Sequence, residues 1–263
     1  MSSVFQPEIL KGQVAFVTGG GTGICKGIAL GLASHGADVV IVSRKMDHLA
    51  PAAQEISAAT GRKVIPMVAD VRRPEQIEAA LKETVAQLGR LDIVVNGAAG
   101  NFLAPAAMLS YNGYRTVLEI DTMGTYNVSK AAFDTWLKDH GGVIINISAT
   151  LQYTGTPMQV HACSAKAAVD AQTRTLAVEW GPLGIRVNGI APGPIGDTEG
   201  MSRLAPGEWL EKVAASCPLR RLGRAEEIAN AAIFLASGAA SYVNGAILVV
   251  DGGHWLAGRG FDS

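Results

Sequence analysis

A glycine run, Thr18-Gly19-Gly20-Gly21-Thr22-Gly23-Ile24, offers the first chemistry in this chain. Glycines let a backbone turn sharply and approach a pyrophosphate closely, and the free amides of a helix starting there point at it. A second group is the basic pair Arg44 and Lys45, which directly follows an apolar β-branched run. In dinucleotide-binding folds an acidic residue near this place takes the ribose hydroxyls, whereas a basic one accommodates a 2′-phosphate. The pair therefore points to NADPH or, read plainly, to two solvated charges at a strand end. Asp121 is the third. It follows Val117-Leu118-Glu119-Ile120, and a carboxyl in such apolar surroundings needs a partner. Cys163 and His161 lie two residues apart on a helical stretch, where they do not face one another, so they form no nucleophilic pair.

These groups need a scaffold. Strand-like runs fall at Val14–Thr18, Asp38–Ser43, Lys63–Ala69, Ile93–Asn96, Val143–Ser148, Arg186–Ala191 and Ala246–Val250. Most are continuous and β-branched, as parallel strands covered on both faces are. Helical patterns fill the gaps at Gly23–His35, Met46–Thr60, Pro74–Leu88, Tyr114–Lys138, His161–Trp180 and Ala225–Ala236. The alternation predicts a single-domain α/β fold over residues 1–263, a Rossmann-like, doubly wound, parallel seven-stranded sheet with helices on both faces. The proline- and glycine-rich stretch from about 195 to 218 reads as a flap over a site or as an ordinary long loop, with a short helix at Glu208–Ala215. Trp209 on it caps a tunnel or anchors packing.

Composition excludes several classes. The chain has 263 residues, net charge -1, 48% hydrophobic and 17% charged residues. That balance gives no polyanion-binding surface, so nucleic acid is not an expected partner. No apolar run reaches the roughly 20 residues that span a bilayer. Cys25, Cys163 and Cys217 are too scattered for a disulfide framework or a zinc site, and no metal is expected. Neither a secretory signal nor a peroxisomal S-K-L-type ending is read, which by itself indicates cytoplasm.

The T-G-x-x-x-G-I spacing resembles the short-chain dehydrogenase/reductase family. So do Asp70-Val71 after the third strand, Asn96-Gly97-Ala98-Ala99-Gly100 after the fourth and Pro192-Gly193-Pro194-Ile195 after the sixth. The resemblance implies that Gly19, Gly21, Thr22, Gly23, Ile24, Arg44, Lys45, Asp70, Val71, Asn96, Ala98, Ala99, Gly100, Lys166, Pro192, Gly193, Pro194 and Ile195 bind the cofactor. Three family positions are changed. Lys166 is kept, but the tyrosine four residues before it is Ala162, the usual serine is Ala149, and the helix asparagine is Asp121. The glycine expected after Ile24 is Cys25, whose thiol should push the helix start away from the strand.

One branch shares these replacements. Ala98-Ala99-Gly100-Asn101-Phe102, Leu109-Ser110-Tyr111-Asn112, Val160-His161-Ala162 and Thr198-Glu199-Gly200 resemble the peroxisomal-type 2,4-dienoyl-CoA reductases. The resemblance implies hydride addition from NADPH at C5 of a 2,4-dienoyl thioester and protonation at the α carbon, giving a 3-enoyl-CoA. Asp121 and Asp251 would act with a water as the acid, and Lys166 would hold the ribose. A buried carboxyl beside another can stay neutral, and such a pair titrates as a coupled set. Asp251, in Asp251-Gly252-Gly253, serves equally as a turn or helix cap. Arg44, Arg72, Phe102, Ser110, Tyr111, Asn112 and Arg203 are implied to lie near the acyl-CoA. Two alternatives stay open: a reductase of another conjugated acyl or polyketide-like substrate, and a non-catalytic NADP-binding relative. The family also implies a homotetramer or homodimer through the two long helices, where Ala167, Ala168, Ala171 and Ala177 permit close approach. It makes a peroxisomal setting an alternative to the cytoplasm.

Overall fold

The computed structural model describes residues 4–198 and 208–257. Arg203 and the middle of the expected flap lie outside the described residues, as does the side chain of Trp209. Strands β1 (Val14–Thr18), β2 (Asp38–Ser43), β3 (Val64–Val68), β4 (Ile93–Asn96), β5 (Gly142–Ile147), β6 (Ile185–Pro192) and β7 (Ile247–Val250) form one seven-stranded sheet. Its order is β3-β2-β1-β4-β5-β6-β7, and every pairing is parallel. The expected α/β fold is the observed one. The ends of β1, β2 and β4 are as expected, and those of β3, β5, β6 and β7 differ by one residue, because pairing with a neighbour rather than composition ends a strand.

Helices α1 (Gly23–Ser34), α2 (Met46–Thr60) and α3 (Pro74–Leu88) follow the first three strands. A long helix, α4, runs from 111 to 140, with π-helical turns at Glu119–Met123 and Phe133–Leu137. Short α5 (Leu151–Thr154) precedes α6 (Val160–Trp180), and α7 (Glu208–Ser216) and α8 (Ala225–Ala236) complete the set. The sheet separates two apolar cores. Ala15 and Val17 of β1 face one, with α1, α2 and α8, while Phe16 faces the other, with α3, α4 and α6. All five β1 residues are buried, so the run reads as continuous even though successive side chains point to opposite sides.

The strand order reverses between β1 and β4, where the crevice of a doubly wound sheet opens at the carboxyl ends of the strands. The glycine run leaves β1 there, and Asn96-Gly97-Ala98-Ala99-Gly100 leaves β4 beside it. No helix among the described residues is long and apolar enough to cross a membrane.

Candidate active site

Thr18 ties the two sides of the crevice together. Its Oγ1 donates to Val95 O at 3.3 Å and accepts from the amides of Gly97 and Ala98 at 3.0 and 3.2 Å. Gly19 then turns with φ +71°, and a Cβ there would lie 2.9 Å from Gly97 O. Helix α1 begins after Thr22, whose own hydroxyl makes no cap bond, and its first amides face the cradle where an anion would bind. The residues present fit a dinucleotide pyrophosphate.

The Cys25 Sγ lies 3.6 Å from Gly97 O and fills space that Gly97 leaves open. A Cβ at Gly97 would sit 2.0 Å from that sulfur. Burial pushes the Cys25 thiol up to about 12, which leaves it inert.

A cavity of about 370 Å³ opens above the cradle, lined by Gly19, Gly21, Thr22, Arg44, Lys45, Asp70, Val71, Ala98 and Ala99, and also by Ser43, His48 and Ile120. Most of the expected cofactor residues after the first four strands thus come together, while Gly23, Ile24, Asn96 and Gly100 do not line this cavity. The Asn96 side-chain amide points into the core instead, donating to Ser129 Oγ at 2.9 Å and Asn146 Oδ1 at 2.8 Å. Reading residue by residue missed His48, although three basic-type residues within five positions were a signal. Arg44 and Lys45 are exposed, and neither joins an ion pair with another described residue. Arg72, expected on the acyl side, spends Nε and Nη2 on Asp70 at 2.5 to 3.1 Å. These bonds hold the Asp70 carboxyl below the usual carboxylate range.

Asp121 sits on the first π-helical turn of α4 and is 1% exposed. Single π turns in α-helices are frequent at functional sites because they redirect one side chain. Asp121 Oδ1 accepts from the Gly100 amide at 2.7 Å, and Oδ2 meets Lys166 Nζ at 3.0 Å. Lys166 Nζ also donates to Ile147 O at 3.0 Å. The direct partner of Asp121 is therefore the Lys166 cation. Both Asp251 oxygens cap the turn after β7, accepting from the amides of Gly253 and Trp255 at 2.8 Å each. No hydrogen bond links Asp251 to Asp121 or Lys166 among the described residues. It lines a second cavity of about 250 Å³ with Pro194, Ile195 and Leu219.

Ala162 is buried, so no hydroxyl stands four residues before Lys166. Tyr153 on α5 does not replace it. Its hydroxyl donates to Asp170 Oδ2 at 3.3 Å, and burial with that carboxylate pushes its pKa up to about 12. Asp170 also accepts from Ser148 and Gln152, a buried cluster that strand and helix patterns do not reveal. On the outer side, Phe102, Ser110, Tyr111 and Asn112 are exposed, and Ser110 Oγ caps α4 by accepting from Gly113 N at 3.0 Å.

The family model described as Enoyl-(Acyl carrier protein) reductase matches residues 19–254. A protein of Danio rerio named peroxisomal 2,4-dienoyl-CoA reductase [(3E)-enoyl-CoA-producing] is 56% identical, over 96% of this chain and 85% of its own. A Saccharomyces cerevisiae protein of the same description is 45% identical, over 98% of this chain and 89% of its own. The solved structure of a short chain dehydrogenase from Bacillus anthracis superposes with a TM-score of 0.85 at 41% identity, covering 93% of this chain and 97% of that one. With its glycine cradle, its sheet order and these matches, the chain belongs to the short-chain dehydrogenase/reductase family, oxidoreductases that use a nicotinamide cofactor.

Proposed function

We propose that the chain reduces a conjugated 2,4-dienoyl-CoA thioester to a 3-enoyl-CoA with NADPH. The observation that carries this is the buried Asp121–Lys166 pair beside the Gly100 amide, at a site where Ala149 and Ala162 supply no hydroxyl. The names of the relatives support it. When bound, the reduced nicotinamide supplies the hydride, which adds at C5. The extended enolate that results needs a polarised thioester oxygen and a proton at the α carbon, but no proton donor to a carbonyl. A proton can pass between Lys166 Nζ and Asp121 Oδ2 across 3.0 Å, and a water at Asp121 would carry it to carbon. For Asp251 the two backbone amides it holds favour the turn-positioning role over that of a second acid.

Arg44 and Lys45, exposed, lining the cavity and in no ion pair with another described residue, support a 2′-phosphate and hence NADPH. Mixing the protein with a 2,4-dienoyl-CoA and NADPH should give steady oxidation at 340 nm. NADH should serve far less well, and Arg44→Ala should erase most of that preference. An absence of turnover between about pH 5 and pH 8 would remove the reading. Turnover of a carrier-bound or free conjugated acid alone would move it to the polyketide-like alternative.

The acyl-CoA head would pass over the exposed Phe102, Ser110, Tyr111 and Asn112, with Arg203 and the flap near 195–218 as further candidates. The compartment we favour is the peroxisome, from the relatives' names and the acyl chemistry. Exposed Met123, Tyr126 and Val178 on α4 and α6 support assembly through these helices. A homotetramer is the expected result in light scattering, and a monomeric mass would refute it.

A further inference from the structure

Two segments on the outer side of the site are clasped together. Asn101 Nδ2 donates to Gln159 Oε1 at 2.9 Å, and Ala104 N donates to Met158 O at 2.9 Å. Between these, His161 Nε2 lies 3.0 Å from Phe102 O, and the two rings stack with centroids 4.4 Å apart at 23°. A carbonyl only accepts, so the imidazole carries its proton on Nε2 and presents Nδ1 as an acceptor. Among the described residues that buried Nδ1 meets no hydrogen-bond partner, and His161 is 0% exposed. Beside it Met158 holds φ +64°, in the left-handed region. An orphaned buried acceptor and a strained non-glycine residue both cost stability. Their meeting in one clasp indicates that the pose it fixes matters more than the stability lost. The clasp also runs straight into the catalytic groups. Gly100, which donates to Asp121, precedes Asn101, and Lys166 follows His161 on the same helix.

We propose that His161 is a positioning residue for the acyl substrate. Its Nε2–H and ring fix Phe102 as one wall of the acyl channel, leaving Phe102, 40% exposed, free to contact the conjugated chain. The proposal rests on the dienoyl-CoA reading above. Its action is on substrate pose, because a small error at a wall displaces C5 from the hydride donor.

The test is steady-state kinetics of His161→Leu and His161→Gln, with NADPH affinity by fluorescence and thermal melting in parallel. Glutamine carries an N–H at about the place of Nε2. His161→Leu should raise KM for the dienoyl-CoA about tenfold, the size of one lost neutral hydrogen bond. Its NADPH affinity should stay within about twofold and its melting temperature should not fall, since the orphaned acceptor leaves with the imidazole. His161→Gln should recover most of the KM. An unmoved KM, a parallel loss of NADPH affinity and melting temperature, or a glutamine variant no better than leucine would overturn the proposal. If His161→Leu does not fold, Gln159→Ala carries the test. It removes the Asn101–Gln159 bond of the clasp without touching the imidazole and should raise KM severalfold, and an unchanged KM there refutes the role. No turnover by the unaltered protein sinks the reductase reading and this proposal with it. Turnover with an unmoved KM in the variants sinks the positioning role alone.

Discussion

Asp121→Asn is expected to lower turnover of a 2,4-dienoyl-CoA by about 10²- to 10⁴-fold, the range a positioned acid or base contributes. Asparagine has nearly the same shape, and its carbonyl oxygen can still accept from Gly100 N or Lys166 Nζ, which now lie 2.7 and 3.0 Å from the carboxylate. It cannot shuttle a proton. NADPH affinity should therefore change less than about threefold, because no expected cofactor contact is removed. Removing one partner of a buried ion pair costs up to about 3–5 kcal/mol when the other is stranded. Lys166 keeps Ile147 O as an acceptor, so a smaller loss of melting temperature is expected. A variant that loses turnover and cofactor binding together would make Asp121 a structural residue. The three readings, kcat, NADPH Kd and melting temperature, separate these outcomes in one preparation.

The second large effect is expected at Gly97→Ala. The added methyl would lie 2.0 Å from Cys25 Sγ and 3.1 Å from Thr18 O, so either the thiol or the β4 loop must move. Overpacking of this kind costs about 1–3 kcal/mol, or several degrees of melting temperature for a domain of this size. The displaced loop is also the cradle wall, so cofactor affinity should drop about tenfold. Cys25→Gly alone opens a small cavity. Combined with Gly97→Ala it should restore most of both losses, a positive coupling between residues 72 positions apart. Strict additivity of the two substitutions would refute the fit of thiol to glycine.

Much of the fold was legible because its signals are local. β-Branched runs bounded by polar or glycine residues gave Val14–Thr18, Asp38–Ser43 and Ile93–Asn96 with their observed ends, and Met46–Thr60 and Pro74–Leu88 likewise. The helix expected from Tyr114 starts three residues earlier, at Tyr111. The Ser110 hydroxyl, accepting from Gly113 N, caps that start. The cofactor-side residues were legible in kind, since glycines and a basic pair declare phosphate chemistry wherever the strands bring them. The pairings were not. Arg72 was assigned to the substrate, yet a carboxylate two residues away claims it. Cys25 looked like a defect in one loop until Gly97 stood opposite it. Asp121 with Lys166, and Asp170 with Ser148, Gln152 and Tyr153, join helices and loops whose approach only the assembled sheet defines. The catalytic proposal therefore rests on the family resemblance, to which the geometry adds the direct Asp121–Lys166 contact.

The Thr18–Gly97 hydrogen bond closes a segment of 79 residues, and β1 meets β4 only across that span. On the ribosome, β1, β2 and β3 can pair early along one side, but the phosphate cradle has no far wall until residue 98 has emerged. Closing so long a segment costs chain entropy that local contacts do not recover. The dinucleotide recognises the closed form and has no comparable site on the open chain. It therefore acts as a ligand of the completed topology, adding about RT ln(1 + [L]/Kd) to its stability. In a cell, the nicotinamide pool would thus govern how many newly made chains stay closed as well as how fast they turn over.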